Sequence, residues 1–304
     1  MRFLEQLRAY GEALSIWHEH RLQTPDLGIA WYDAGTGPDV LFINGGPGDD
    51  HRYMRPLAEA LVPDFHCVLY DQRGTGTSHL GRLDADTLHV DRFLEDVDWL
   101  RRELRSAKLR LVGHSWGATL ALMYTEKYAE QVERAVLVGL APLSPELAAV
   151  ARANVLRPLS GPERKAFAAL AARRRSALDL DDLNAAALAH IEQVTRYGVR
   201  SMVYSTEVAT TFARQFRETY SHNPRVNLYV QASINFAQLW ADLSRISAQL
   251  LILYGHQDFE PIVQAYLLKE LVPHVRIELL NESGHLPWLE QPDAFYRGLL
   301  AFLR

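Results

Sequence analysis

One serine in the chain has neighbours that equip it to attack an acyl carbon. In Leu111-Val112-Gly113-His114-Ser115-Trp116-Gly117-Ala118 an apolar run passes through G-x-S-x-G into a helix-forming run. In a strand–turn–helix elbow the turn is so tight that the residues two before and two after the serine must be glycine, which leaves the hydroxyl exposed at the sheet edge. Both glycines, Gly113 and Gly117, are present. The Trp116 N–H is then aimed at a developing oxyanion from a helix N-terminus, whose dipole favours negative charge. A serine also needs a base to take its proton, and the base needs a carboxylate to fix its tautomer.

The order that follows such an elbow is serine, acid, histidine. Leu251-Ile252-Leu253-Tyr254-Gly255-His256-Gln257-Asp258 places an acid just past an apolar run, and Asn281-Glu282-Ser283-Gly284-His285 places an imidazole after the next one. No carboxylate follows the run ending at Gly139, where the chain continues Leu140-Ala141-Pro142, and this leaves Asp258 as the acid. Of the 12 histidines, His114 reads as packing inside the elbow, and His18, His20, His190 and His274 as surface or helix-end positions. His256 stands two residues from the acid, too near to be its separate partner, so His285 is the expected base. A second oxyanion donor is expected from Asn44-Gly45-Gly46-Pro47-Gly48, where residues without side chains let a backbone N–H approach the substrate. The stretch Asp71-Gln72-Arg73-Gly74-Thr75-Gly76-Thr77-Ser78 spaces its glycines like a nucleotide loop but lacks the third glycine and the Lys-Ser/Thr of a phosphate loop. Asp71 and Arg73 are expected to pair and brace the loops, and no cofactor is expected.

The elements that must hold these residues follow from hydrophobic rhythm. Short apolar runs at 29–32, 40–43, 66–70, 109–112 and 135–138 alternate with helical stretches at 51–61, 90–104 and 118–128. Near-continuous apolar strands separated by helices are what a parallel sheet covered on both faces demands, an α/β architecture. After Pro142 the rhythm stops, and helix at 166–190 and 192–220 dominates until strands resume at 250–254 and 276–280, with helices at 262–271 and 293–303. A structureless loop that long is improbable, so 143–245 reads as a helical cap inserted into a core of 1–142 and 246–304, above the carboxyl edge of the sheet. Phe3, Leu7, Tyr10, Leu14 and Trp17 share one face of an N-terminal helix expected to pack on the body. The Arg173 to Arg175 run reads as a solvated helix face.

Together, GGPG at 45–48, DQRGTGTS at 71–78, GHSWG at 113–117, the late Asp258 and SGH at 283–285 resemble the proline iminopeptidase branch of the α/β-hydrolases. The resemblance covers about 28–142 and 249–304. It implies an α/β-hydrolase fold and a metal-independent serine aminopeptidase that works through an acyl-enzyme. Ser115 would be its nucleophile, His285 the base, Asp258 its orienter, and the N–H groups of Gly46 and Trp116 the oxyanion hole. Such relatives release an N-terminal residue, often proline, and hold its ammonium with glutamates from the cap and from beside the triad aspartate. Glu260, two positions past Asp258, and Glu192, Glu207 and Glu218 in the cap are the candidates here. Tyr204, Phe212, Phe216, Phe236 and Trp240 either wall an apolar pocket for a proline ring or form the cap's own core. Asn44 stands where the family usually has histidine, and His114 where glycine is common. An esterase or lactonase with the same triad, or a non-catalytic receptor on the same scaffold, are the competing readings. Epoxide hydrolase and dehalogenase chemistry is excluded because it needs aspartate in place of Ser115.

Composition narrows the partners. With 304 residues, 48% of them apolar and 23% charged, the chain can offset the entropy of ordering a large core. Its net charge is −5 and no basic stretch is long enough to neutralise a phosphate backbone, so a small-molecule or short-peptide substrate is expected rather than nucleic acid. The single cysteine, Cys67, excludes an intramolecular disulfide and fits a reducing cytoplasm. No run approaches the length of a membrane helix, and the N-terminus lacks the apolar stretch of a secretory signal, so no membrane association is expected.

Overall fold

The computed structural model describes residues 16–219 and 221–304. Its centre is a nine-stranded sheet in the order β1-β2-β4-β3-β6-β7-β8-β9, with a short β5 pairing to β2. The strands are β1 (His18–Gln23), β2 (Leu27–Ala34), β3 (Asp39–Ile43), β4 (His66–Tyr70), β5 (His79–Leu80), β6 (Leu109–His114), β7 (Val132–Val138), β8 (Gln249–Gly255) and β9 (Val275–Leu280). From β4 to β9 every neighbouring pair is parallel, whereas β2 runs antiparallel to β1, β4 and β5. The α/β sheet expected from the apolar runs is therefore present, extended by an antiparallel edge.

Side chains alternate between the two faces, and both faces are buried. Leu41, Ile43, Leu111, Leu137 and Ile252 join one core, and Val40, Phe42, Val112, Val136 and Leu251 the other. Helices cover each face. Against the first pack α2 (Val90–Glu103), α3 (Trp116–Lys127) and α11 (Val263–Leu271); against the second pack α1 (Arg55–Glu59) and α12 (Pro292–Leu303). Burying each such aliphatic or aromatic side chain contributes about 1.5–3 kcal/mol, so the sheet edge is a rigid platform for the loops at its carboxyl end.

Among the described residues, the elements between β7 and β8 are helical: α4 (Pro145–Leu156), α5 (Gly161–Asp179), α6 (Leu183–Gln193), a π-turn at Val194–Gly198, α7 (Val199–Met202), α8 (Thr206–Thr219), α9 (Pro224–Ala232), α10 (Phe236–Asp242) and a 3₁₀ turn at Leu243–Arg245. The single helix expected over 166–190 is broken. Asp181 adopts a left-handed φ of 62°, and Asp182 then caps α6 by accepting from the Ala185 N–H at 2.9 Å. The expected N-terminal helix lies outside the described residues apart from Trp17, which is buried and whose indole N–H donates to Glu59 Oε1 at 3.2 Å. The edge strand β1 departs from the sequence reading, as does β5; HEHRLQ alternates exposed and half-buried positions and carries no apolar run.

Candidate active site

Ser115 sits at the turn between β6 and α3 with φ 56° and ψ −122°. This strained geometry is held from several sides: the Ser115 N–H donates to Val138 O at 2.9 Å, and its carbonyl accepts from Ala118 N at 2.9 Å and Thr119 N at 3.2 Å. The flanking glycines are compulsory for a steric reason. A Cβ on Gly113 would lie 2.3 Å from Gly117 O, and one on Gly117 would lie 2.0 Å from Ile43 O.

The loops after β8 and β9 bring Asp258 and His285 together, with His285 Nδ1 3.0 Å from both carboxylate oxygens. Both side chains are buried, at 2% and 3% exposure, so the pair is desolvated and geometrically fixed. The His285 ring lies between His114, at 4.5 Å, and Phe259, at 4.7 Å, and its backbone N–H donates to Met202 O at 2.5 Å. With Nδ1 committed to Asp258, Nε2 is the atom left to exchange a proton. Gly139, just past β7, has φ 53°, and a Cβ there would stand 2.8 Å from His285 Nδ1 and 3.0 Å from Asp258 Oδ2. The glycine makes room for the pair. Its contribution is invisible in the sequence because nothing local distinguishes it from a turn glycine.

Ser115 and His285 line one cavity of about 170 Å³ with Tyr53, Phe212 and Phe216. Among the described residues no hydrogen bond joins the Ser115 hydroxyl to His285, a bond that in empty sites often forms only with substrate. A second cavity of about 440 Å³ is lined by Gly46, Ser115, Trp116, Phe236 and Glu260. Gly46 and Ser115 border both cavities and so stand at their junction. Trp116 opens α3, where the first N–H groups have no partner in the helix ladder. Asn44 scaffolds this loop: its Nδ2 donates to Asp49 O at 2.7 Å, while its own carbonyl accepts from Gln72 Nε2 at 2.7 Å.

Glu260 is 6% exposed, and its Oε2 is buried without a hydrogen-bond partner. Burial, and then the Asp258 charge, push its carboxyl well above the usual carboxylate range. An orphaned, desolvated acid on a cavity wall is costly to keep, and such groups concentrate at functional sites.

A family of sequences described as the alpha/beta hydrolase fold matches residues 38–292. The chain belongs to the α/β-hydrolase fold family. A proline iminopeptidase of Saccharolobus solfataricus is 24% identical over 276 residues, 88% of this chain and 86% of the relative. A proline iminopeptidase of Neisseria gonorrhoeae is 33% identical over 129 residues, 41% of this chain and 40% of the relative. Among solved structures, an alpha/beta fold family hydrolase from Bacillus anthracis superposes with a TM-score of 0.75 at 18% identity, covering 94% of this chain and 99% of that one. A proline iminopeptidase-related protein from Thermus thermophilus gives 0.71 at 23% identity, covering 94% and 97%. The hydrolase is thus proline iminopeptidase-like in sequence, and the structural likenesses establish its fold.

Several candidate residues of the hydrolase lie elsewhere than expected. Glu207 is exposed in the first turn of α8, Glu218 is exposed near its end, and Glu192 is spent on Arg196 at 2.8 Å; none lines either cavity. The acid that lines the smaller cavity is instead Asp49, which the sequence reading did not single out. Phe212 does line the smaller cavity, but Trp240 is a seam residue whose indole N–H donates to Leu143 O at 2.8 Å. Asp71 and Arg73 do not pair. Arg73 takes Asp96 at 2.6 Å, and Asp71 accepts from His51 and Thr77. Arg174 turns inward from its basic run and donates to His190 Nδ1 at 3.1 Å, so His190, in the last turn of α6 as expected of a helix-end position, is also a wall residue of the smaller cavity. His190 in turn stacks on His222 at 3.9 Å, and His222 Nδ1 reaches Asp49 Oδ1 at 2.6 Å. Asp49, His190 and His222 offer ligand atoms within 4.8 Å of one another. Arg174 already uses the His190 Nδ1 lone pair, which leaves Nε2 protonated, and Asp49 holds the His222 proton, so this donor set suits hydrogen bonding better than a cation.

The helical block is tethered to both site loops. On one side Asp49 and His222 form a β-bridge, the Asn223 N–H donates to Gly48 O at 2.8 Å and Asn227 Nδ2 to Pro47 O at 3.1 Å. On the other, Glu290 accepts from the N–H groups of Tyr204, Ser205 and Gly284 at 2.7, 2.8 and 2.6 Å. Among the described residues no helix is long and apolar enough to cross a membrane.

Proposed function

We propose that the protein is a serine hydrolase that removes the N-terminal residue, proline or another small or apolar one, from short peptides or aminoacyl amides. Ser115 Oγ attacks the scissile carbonyl while His285 Nε2 takes its proton, and Asp258 holds the Nδ1–H and stabilises the imidazolium. The N–H groups of Gly46 and Trp116 receive the oxyanion. His285 then returns the proton to the leaving amine, and water, activated by the same imidazole, releases the acid from Ser115.

The observation that carries the aminopeptidase reading over a simple esterase is Glu260. Its unpartnered oxygen belongs to a residue lining the cavity that also holds Ser115, and an ammonium would satisfy it. A substrate without an amine would leave that acid unpaired. The names of the relatives agree with this assignment. The test is a panel of prolyl and alanyl p-nitroanilides, their N-acetylated forms and p-nitrophenyl esters. Turnover confined to the free amines supports the reading; full activity on acetylated substrates, or esterase activity alone, refutes it.

A further inference from the structure

His114 immediately precedes Ser115, and its ring is buried between Tyr53, Trp288 and His285. Its two nitrogens are both engaged: Nε2 lies 2.9 Å from His285 O, and Nδ1 lies 2.7 Å from Tyr53 Oη. Tyr53 Oη also lies 2.5 Å from the Gly45 N–H. The direction of each bond follows by elimination. A carbonyl can only accept, so Nε2 carries a proton; an amide N–H can only donate, so Tyr53 Oη accepts from Gly45. A neutral ring then has a bare Nδ1, and the single phenolic proton must point to it. Burial, and then the His285 charge, pull His114 well below the ordinary imidazole range, and burial holds the Tyr53 phenol well above its own, so both stay neutral.

We propose that Tyr53 and His114 form a one-way relay, Gly45 N–H to Tyr53 Oη–H to His114 Nδ1 and then His114 Nε2–H to His285 O, which makes His114 a positioning residue. Its ends are the residue beside Gly46 and the backbone of His285. The relay therefore sets the spacing between the loop that bounds the oxyanion and the loop that presents the imidazole. A lone aliphatic side chain at position 114 would join neither loop. The kinetic consequence rests on the serine mechanism proposed above, whereas the tautomer does not.

Two measurements test it. In protein labelled with ¹⁵N-histidine, long-range ¹H–¹⁵N correlations, with His114 assigned by its loss in His114→Gln, should show Nε2 protonated and Nδ1 bare throughout the neutral range. An Nδ1–H tautomer or a charged ring there overturns the relay. In steady-state kinetics on an aminoacyl p-nitroanilide, His114→Asn ends the side chain at the Nδ1 position and loses the donor to His285. It should lower kcat by about 10- to 100-fold with little change in KM, as for other residues that orient a reacting group. His114→Gln keeps an amide donor at the Nε2 position and should recover most of that loss. Equal defects in both variants, or a change in KM alone, refute the positioning role. If a His114 variant fails to fold, Tyr53→Phe breaks the same chain at its middle, and unchanged kcat there refutes it equally. Fluorophosphonate labelling of the wild type separates the two ideas: an unlabelled Ser115 removes the serine mechanism and leaves the tautomer result standing.

Discussion

Replacing Glu260 by glutamine keeps the side-chain shape and removes the ability to carry a negative charge opposite an ammonium. Glu260 is 6% exposed, so an ammonium bound to it makes a desolvated pair, and deleting one partner of such a pair costs about 2–5 kcal/mol. At about 1.4 kcal/mol per factor of ten, kcat/KM for prolyl or alanyl p-nitroanilide should fall by about 30- to 4,000-fold. For p-nitrophenyl butyrate, which has no amine, it should stay within about threefold of wild type. There is a pH signature as well. Burial and Asp258 keep the empty-site carboxyl protonated to well above its ordinary range, so an ammonium must displace that proton. In wild type, KM for amine substrates should therefore fall as pH rises toward the carboxyl's own titration, and this dependence should vanish in the variant. Equal losses on both substrate classes would show that Glu260 acts through Asp258, to which its backbone N–H donates at 3.0 Å. No loss on either class would move the amine to the Asp49 side of the junction. Both results would refute the reasoning.

The same substitution should act on stability with a defined sign. The folded chain keeps a proton on Glu260 that the unfolded chain releases above its ordinary value of 4.5, so this carboxyl lowers stability increasingly as pH rises. Urea unfolding should find Glu260→Gln equal to wild type near pH 4 and more stable at pH 7, the gap widening by about 1.4 kcal/mol per pH unit until the folded carboxyl titrates; a gap independent of pH would contradict this. Ser115→Ala should abolish fluorophosphonate labelling and lower kcat by about 10⁴- to 10⁶-fold, and persistent turnover would remove the nucleophile assignment. Gly139→Ala should cost about 1–2 kcal/mol in urea for its left-handed backbone and about 100-fold in kcat for the displaced His285–Asp258 pair; unchanged kcat would show that the pair tolerates crowding. Glu290→Ala strands three backbone N–H groups and should cost about 3 kcal/mol by the same assay, with a loss below about 0.5 kcal/mol counting against the tether.

What the sequence revealed follows from how local each signal is. The elbow is a contiguous pattern with steric causes, and the parallel strands are apolar because both their faces are covered, so each could be recognised in a short window. That Asp258 and His285 would meet was legible through strand-end placement and chain order. The cap glutamates were misjudged because their type suits the task while their helix face does not: Glu207 and Glu218 point to solvent and Glu192 to Arg196. Asp49, His190 and Gly139 were missed for the converse reason. Their roles depend on partners 173, 16 and 146 positions away, His222, Arg174 and His285, and no local pattern marks them. Arg73 sits two residues from one acid, yet its buried bidentate partner is Asp96, which α2 delivers from the other side.

The two tethers constrain how anything reaches Ser115. Swinging the helices aside like a door would tear Asn223 and Asn227 from the glycine-rich loop at one jamb and strip Glu290 of its amides at the other, dismantling the chamber in the act of opening it. A ligand that enters with those bonds intact meets an entrance whose width the glycine-rich loop and the helices set together. If the proposed aminopeptidase activity holds, an entrance pinned in this way would favour the free end of a short chain over a folded polypeptide by girth alone, before any chemical recognition begins.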